Sequence, residues 1–432
     1  MASTLFFGRL QRGLTPAVAA ALVCGVLAAG ADITPAAAAP CRVPSTLVLE
    51  PPKRAFELPG GAQVQIWDTG NRKQDILEQR FVAVRIPKGT LIPRAQLAPT
   101  LSQKTTPQAQ AGSESGAIVV INGAVFDASG AAIPRRSQIA DRVIRKGDSL
   151  TDQGLALYED TRTAELAVHN MTGEVFSVHG TIPLGALNWQ RLSATGVTAY
   201  TRDWGASFHP TGSRTIVLKN GLVSKVLSKL KDGKKRPKPG ETFLTAPNGS
   251  EATAALKLLG VGEPVTVTTG QTGVLPRVAG QPSMGTPDSL IGVSSAIVRR
   301  GKNFASCGGR DNNLRPRSAI GWTAEGDLIV AAVSGRSNKN HRRSGGASAH
   351  QWGEYLLHLG AVNAINLDGG SSTTLLVRRQ VGGPLRRLDR DEKDSQARVA
   401  DSLTFLAPTG PLIPPAPTPT PTPTPTATPV LP

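Results

Sequence analysis

From Ala319 to Val377 the chain alternates short apolar runs with glycine-bearing turns, a pattern that suits a β-sheet with occasional helices and little else. Ala319-Ile-Gly-Trp-Thr323, a turn at Glu325-Gly326, and Asp327 to Val333 read as a hairpin. Ala349, Trp352, Leu356 and Leu359 fall at helical spacing, and Gly360 sits where a helix C-terminus favours glycine. Val362 to Leu367 then reads as a strand, Asp368-Gly-Gly-Ser-Ser372 as a loop, and Thr373 to Val377 as another strand. The whole chain agrees, because 46 Gly and 34 Pro are too many for a helical bundle. Hydrophobic residues at 39% are enough for a sizeable core. The expected class is α+β, with a large mixed β-sheet core and flanking helices.

Upstream, Val64 to Trp67 and Phe81 to Ile86 alternate like strands, Ser102 to Ser115 reads as a long loop, and Ile118 to Ile121 as a buried strand leaving through Asn122-Gly123. Residues 185–275 carry strand-like runs at Thr215 to Leu218 and Val265 to Thr268 and a short helix over Ser250 to Gly260, which suggests a strand-rich subdomain inserted into a domain of residues 61–407. Residues 40–60, with Pro40, Pro44, Pro51, Pro52 and Pro59, read as a loose arm. Residues 1–39 join Arg9 and Arg12 to an apolar run and an Ala36-Ala37-Ala38-Ala39 site, the pattern of a secretory signal peptide. The expected location is therefore secreted, cell-surface or periplasmic, with no membrane span after signal removal. Residues 408–432 end in a Pro-Thr alternation that favours an extended rod. Signal removal also takes Cys24, leaving Cys41 and Cys307, which would pair in an oxidising compartment or stay as two unrelated thiols.

The loop Asp368-Gly369-Gly370-Ser371-Ser372 is the sharpest local feature. A carboxylate at the end of an apolar strand is held on rigid backbone, glycines let a ligand approach, and hydroxyl and N–H groups can receive sugar or phosphate oxygens. A plain solvated Asp-Gly turn fits the same letters. The histidines show no H-E-x-x-H or other tight ligand spacing, and no G-x-S-x-G occurs. No cofactor is required; a divalent metal on Asp368 and backbone carbonyls is neither demanded nor ruled out.

Four segments taken together, Ile121 to Asp127 (INGAVFD), Arg317 to Trp322 (RSAIGW), Val333 to Arg336 (VSGR) and Leu359 to Leu375 (LGAVNAINLDGGSSTTL), resemble the phosphodiester glycosidase family. The resemblance implies an exported hydrolase that cleaves the C1–O bond of a sugar 1-phosphodiester, N-acetylglucosamine being the sugar of the family's known activity. On the matching positions it implies Asp368, Arg317 and Asp127 as catalytic residues, with Asp368 as nucleophile or base. It implies Asn122, Arg336, Gly369, Gly370, Ser372 and Arg398 as substrate-binding residues, Asn122 orienting a sugar hydroxyl and Arg317 and Arg336 holding phosphate bidentately. Departures from the family pattern are Ala124 and Val125 for Gly and Phe, Ser334 for Asp, and Gln351 for Glu.

The formal charge of +17 suits an anionic partner, a carbohydrate phosphodiester or anionic cell-surface glycan. Aromatics at 4% are few for base stacking, so no nucleic-acid partner is expected. Two readings compete with the enzyme: a non-catalytic glycan- or cell-wall-binding protein on the same fold, and a basic surface protein that binds anionic polymers.

Overall fold

The structure, a computed structural model, describes residues 51–69, 79–112, 114–127, 132–206, 213–227, 236–276, 285–293, 296–306, 313–334, 345–390 and 395–408. The expectations for the signal peptide, Cys41, Cys307, Arg336 and the Pro-Thr tail lie outside these residues.

Strand is the dominant state, and among the described residues it is divided among three sheets. An eight-stranded sheet joins chain segments far apart in sequence. Its order is Arg54–Leu58, Ala62–Thr69, Gln79–Ile86, Leu328–Ser334, Arg317–Trp322, Asn363–Asn366, Ala296–Arg299 and Lys302–Asn303. The central join is long-range, with Val330 opposite Val84 and Ala332 opposite Val82. A five-stranded sheet runs Arg386–Arg387, Leu375–Val377, Ala117–Asn122, Asp401–Leu406 and Ile92–Leu97. An eleven-stranded sheet takes its strands from Gln138 to Pro276 together with Ser289–Gly292. Residues 185–275 fall inside that sheet, which therefore begins well before them. Its ladders are antiparallel apart from the parallel pairing of Leu184 to Leu187 with Val197 to Ala199.

Burial of β-branched and leucine side chains explains why the sheets stack. Val64, Val84, Ile320, Val330 and Ile365 of the eight-stranded sheet share one core with Ile121, Leu375, Leu403 and Phe405 of the five-stranded sheet. A second core lies under the eleven-stranded sheet, where Leu256 and Leu259 pack against Ile216, Leu218 and Leu244. There the helix Glu251–Leu258 starts at Ser250, whose side chain accepts from Thr253 N at 3.1 Å.

The helix Ala349–His358 covers the other face of the eight-stranded sheet. It sets Trp352, Tyr355 and Leu356 against Phe81, Ala319 and Val333. Phe81 and Tyr355 stack at 5.0 Å between centroids. A capping box opens the helix: Ser348 Oγ accepts from Gln351 N at 3.2 Å and Gln351 Oε1 accepts from Ser348 N at 2.9 Å. Gly360, at φ +89°, follows its last turn.

Two local expectations are corrected. The end of the proline-bearing arm is an edge strand, Arg54–Leu58, paired antiparallel with Ala62–Thr69. Pro59-Gly60-Gly61 supplies the tight turn, with both glycines at positive φ. The long polar loop holds a short helix, Pro107–Gln110, because Thr106 caps it and Pro107 takes its first turn, where no N–H is needed. No helix among the described residues is long and apolar enough to cross a membrane.

Removing the cap hydroxyl tests this account of the helix. Ser348→Ala should cost about 1 kcal/mol in urea unfolding. An unchanged midpoint would show that packing alone sets the helix start.

Candidate active site

Asp368 leaves the end of the strand Asn363–Asn366 and is held from three directions. Leu367 N donates to Ser318 O at 2.9 Å, Asp368 N to Gly123 O at 2.9 Å, and Gly370 N to Pro316 O at 2.8 Å. The loop is thus tied both to the strand Arg317–Trp322 and to the end of the strand Ala117–Asn122. Gly369 lies so close to the first of these that a Cβ would sit 2.8 Å from Pro316 O. Gly370 turns through φ +65°, where a side chain is strained.

Asn122 binds these segments together. It is fully buried. Its Nδ2 donates to Asp368 O at 2.7 Å, and its Oδ1 accepts from Ser318 Oγ at 2.7 Å and from Thr374 N at 3.1 Å. The amide lies behind the loop, braced against protein atoms. Farther back, a buried ion pair supports the loop's exit. Arg387 Nη2 meets Asp389 Oδ2 at 3.0 Å, Asp389 Oδ1 accepts from Leu375 N at 2.8 Å, and Arg387 Nη2 donates to Thr373 O at 2.9 Å.

The Asp368 carboxylate is half-buried. Gly369 N donates to its Oδ1 at 3.0 Å, and the Ser372 side chain also hydrogen-bonds it. Burial pushes its pKa up, outweighing these two bonds and the positive charge of Arg135. Beneath it lies a second carboxyl, Asp401, 1% exposed. Ala124 N donates to its Oδ1 at 2.6 Å, Gln138 Nε2 donates to its Oδ2, and Gly123 N donates to its backbone carbonyl at 3.0 Å. A Cβ at Gly123 would run into this carboxylate, so the backbone there must be glycine to admit it. Burial, opposed by the two hydrogen bonds and reinforced by the charge of Asp368, pushes Asp401 up to about 7. With two interacting carboxyls in one site, the wholly buried one retains the proton as the half-buried one ionises.

The other sequence-selected residues are placed as follows. Arg317 is 8% exposed, its Nε donating to Ala347 O at 2.6 Å, and its backbone borders Gly369. Asp127 N donates to Ile133 O at 2.9 Å and Arg135 N to Val125 O at 3.1 Å, an antiparallel pairing of the two segments. Arg135 is the exposed cation whose charge reaches Asp368. Arg398 is exposed and, with Lys104 and Gln103, lines an opening of 390 Å³; no contact among the described residues ties it to Asp368. Ser334 ends its strand opposite Arg80. Gln351 is 5% exposed and occupied by the capping box. Asp401 and Arg135 were not singled out in the sequence. A carboxylate opening a strand of alternating hydroxyl and apolar residues, Asp401–Leu406, was the available signal for the first; nothing marked the second. No cluster of three His, Cys, Asp or Glu able to hold a metal occurs among the described residues.

With this geometry, the relatives become informative. Residues 196–406 match the profile of the phosphodiester glycosidase family. The matched segment is similar to that family. It includes Arg317, Asp368, Arg398 and Asp401 but not Asn122 or Asp127. An uncharacterised Synechocystis protein shares the fold at 22% identity and a TM-score of 0.61, over 83% of this chain. This chain spans 64% of that protein's length. A protein from Burkholderia pseudomallei, described as a candidate exported protein, aligns at 17% identity and a TM-score of 0.56, over 77% of this chain and 74% of its own. The catalytic domain of zebrafish N-acetylglucosamine-1-phosphodiester α-N-acetylglucosaminidase aligns at 11% identity and a TM-score of 0.41, over 82% of this chain and 87% of its own. No curated protein sequence matches the chain.

The buried carboxyl predicts a pH signature. The fold raises Asp401 from 3.8 to about 7, so between those values the folded state holds a proton that the unfolded chain has released. Stability should therefore fall as pH rises through that window, by at most about 4 kcal/mol from this group. Asp401→Asn should flatten the fall, measured as urea midpoints at pH 4.5 and 7.5. An identical slope in both proteins would show that Asp401 ionises normally in the fold.

Proposed function

We propose that this protein is an exported phosphodiester glycosidase that hydrolyses the C1–O bond of a sugar 1-phosphodiester in a glycan or cell-surface polymer. The observation that carries the reading is the Asp368 carboxylate, fixed by backbone and Asn122 hydrogen bonds on a Gly-Gly loop, within the segment similar to this family.

The chemistry follows from what that carboxylate can do. Breaking C1–O leaves an oxocarbenium-like centre, which a nearby carboxylate stabilises, attacks, or supplies with a deprotonated water. The C1–O bond breaks with its electron pair going to the phosphate oxygen. Water finally adds to C1, and a phosphate monoester leaves. Because phosphate departs readily, the site needs a strong general acid less than a site for alkyl glycosides does. Asp401, holding its proton in this pH range, leaves Asp368 as the ionised member of the pair. Arg317 is committed by Nε to Ala347 O and supports the loop edge. Arg135, exposed and within electrostatic reach of Asp368, is the described cation best placed to receive the phosphate. Arg336 and Asp127 complete the set that the family resemblance suggests. Export rests on the signal-peptide pattern of residues 1–39, and the mature protein should start near Ala39.

A second reading, glycan binding without turnover, is favoured by one observation. Gln351, at a position where the family usually has Glu, spends its side chain on the helix cap. A single experiment separates the two. The wild type should release N-acetylglucosamine from an N-acetylglucosamine 1-phosphodiester. Asp368→Asn, which keeps the backbone bonds and removes the charge, should lower turnover by orders of magnitude with little change in melting temperature. Full activity in Asp368→Asn would reduce the loop to a structural turn, and a wild type that binds without release would favour the second reading.

A further inference from the structure

At the opposite end of the strand Asn363–Asn366 from Asp368 is a cavity of 890 Å³ that the glycosidase reading does not use. It opens where the turn between the strands Arg317–Trp322 and Leu328–Ser334 meets the hairpin of Ala296–Arg299 and Lys302–Asn303 and the start of the strand Thr163–Ser177. At about 3.3 Å per residue, Asn363 lies roughly 16 Å along the chain from Asp368, so one small ligand does not reach both.

The cavity has two unlike parts. Its floor is hydrocarbon: the partly exposed Leu166 and Val362 line it, backed by buried Ile86, Leu328 and Ile365. Trp322 adds ring carbon only, because its N–H is donated to Ala164 O at 2.6 Å. The rim is cationic. Lys88, Arg299, Arg300 and Lys302 line it, and none of the four makes a salt bridge among the described residues. Arg299 Nε is buried with no acceptor, and its guanidinium lies 5.5 Å from the exposed ring of Phe304. The carboxylates on the rim offset little of this charge. Glu325 faces Arg85 at 3.7 Å, and burial raises the pKa of Glu165 against the pull of Lys88.

We propose that this cavity binds a small anionic amphiphile, an apolar body inserted over the hydrocarbon floor with a phosphate or carboxylate head on the arginine and lysine rim. The volume is within the range of small-molecule sites. An acceptor oxygen would satisfy the orphaned Arg299 donor, and arginine is suited to either head group. A neutral sugar would set hydroxyls against aliphatic carbon with no partner and leave the rim unmatched. An inorganic anion would leave the floor unfilled. The proposal stands whether or not the Asp368 loop is catalytic.

Titration calorimetry of the full chain with decyl phosphate, kept below its critical micelle concentration, tests this. The expected result is saturable binding of one molecule per chain. Decanol and inorganic phosphate should each bind at least about tenfold more weakly, because each supplies one half of the match. Arg299→Gln combined with Lys302→Gln, the first half-buried and the second exposed on the rim, should weaken decyl phosphate about tenfold or more. Asp368→Asn should bind it like the wild type. Decanoate matching decyl phosphate would assign the site to either head group, and decanoate failing would narrow it to phosphate; both support the proposal. No saturable binding, phosphate alone binding equally well, an unaffected rim variant, or loss of binding in Asp368→Asn would each overturn it.

Discussion

The loop that presents Asp368 depends on one buried amide. Asn122 ends the strand Ala117–Asn122, and with three hydrogen bonds it joins that strand to Asp368, Ser318 and Thr374. Ser318 belongs to the eight-stranded sheet and Asn122 to the five-stranded one, and Asp368 and Thr374 flank the loop on its two sides. Removing the amide would orphan a carbonyl, a hydroxyl and an N–H in a place closed to water, each worth about 1–3 kcal/mol. The five-stranded and eight-stranded sheets share a hydrocarbon core, but hydrophobic contact is not directional. The amide, with the carbonyls of Gly123, Pro316 and Ser318, gives that packing a fixed register where the carboxylate emerges.

Electrostatics then distinguishes two carboxyls that lie close together. Asp401 is sealed beneath Gly123 and Ala124, where burial defeats its two hydrogen bonds and keeps it protonated up to about pH 7. Asp368 is only half-buried, hydrogen-bonded by Gly369 and Ser372 and facing the charge of Arg135, so it is the one that ionises first. The same carboxyl chemistry thus serves two ends: a neutral prop under the backbone and a charge at the surface of the site. The Arg387–Asp389 pair adds a third device, holding Thr373 and Leu375 behind the loop without reaching its mouth.

Much of this was legible locally. The hairpin through Glu325-Gly326, the helix ending at Gly360 and the Asp368 loop are written in short-range periodicity and turn chemistry, and the structure has all three. What escaped was long-range. Phe81 to Ile86 and Leu328 to Val333 each read as strands, but nothing local pairs two segments separated by more than two hundred residues, so the division of the strands into three sheets is not legible. Asn122 read as the exit of a strand able to meet a sugar, because sequence does not say whether an amide faces inward; here it is fully buried. Asp401 is not marked by its neighbours, since a carboxylate ahead of Ser-Leu-Thr-Phe-Leu resembles a solvated strand end. Gln351 looked like a lost catalytic carboxylate and is a helix cap.

The central claim is that the bond broken is the sugar C1–O bond rather than the phosphorus–oxygen bond. Hydrolysis of an N-acetylglucosamine 1-phosphodiester in water enriched in oxygen-18, followed by mass spectrometry of the released phosphate monoester, addresses it directly. The account predicts a phosphate monoester free of label, the water oxygen having gone to the sugar. Label in the phosphate would contradict it and make the protein a phosphodiesterase of a different kind.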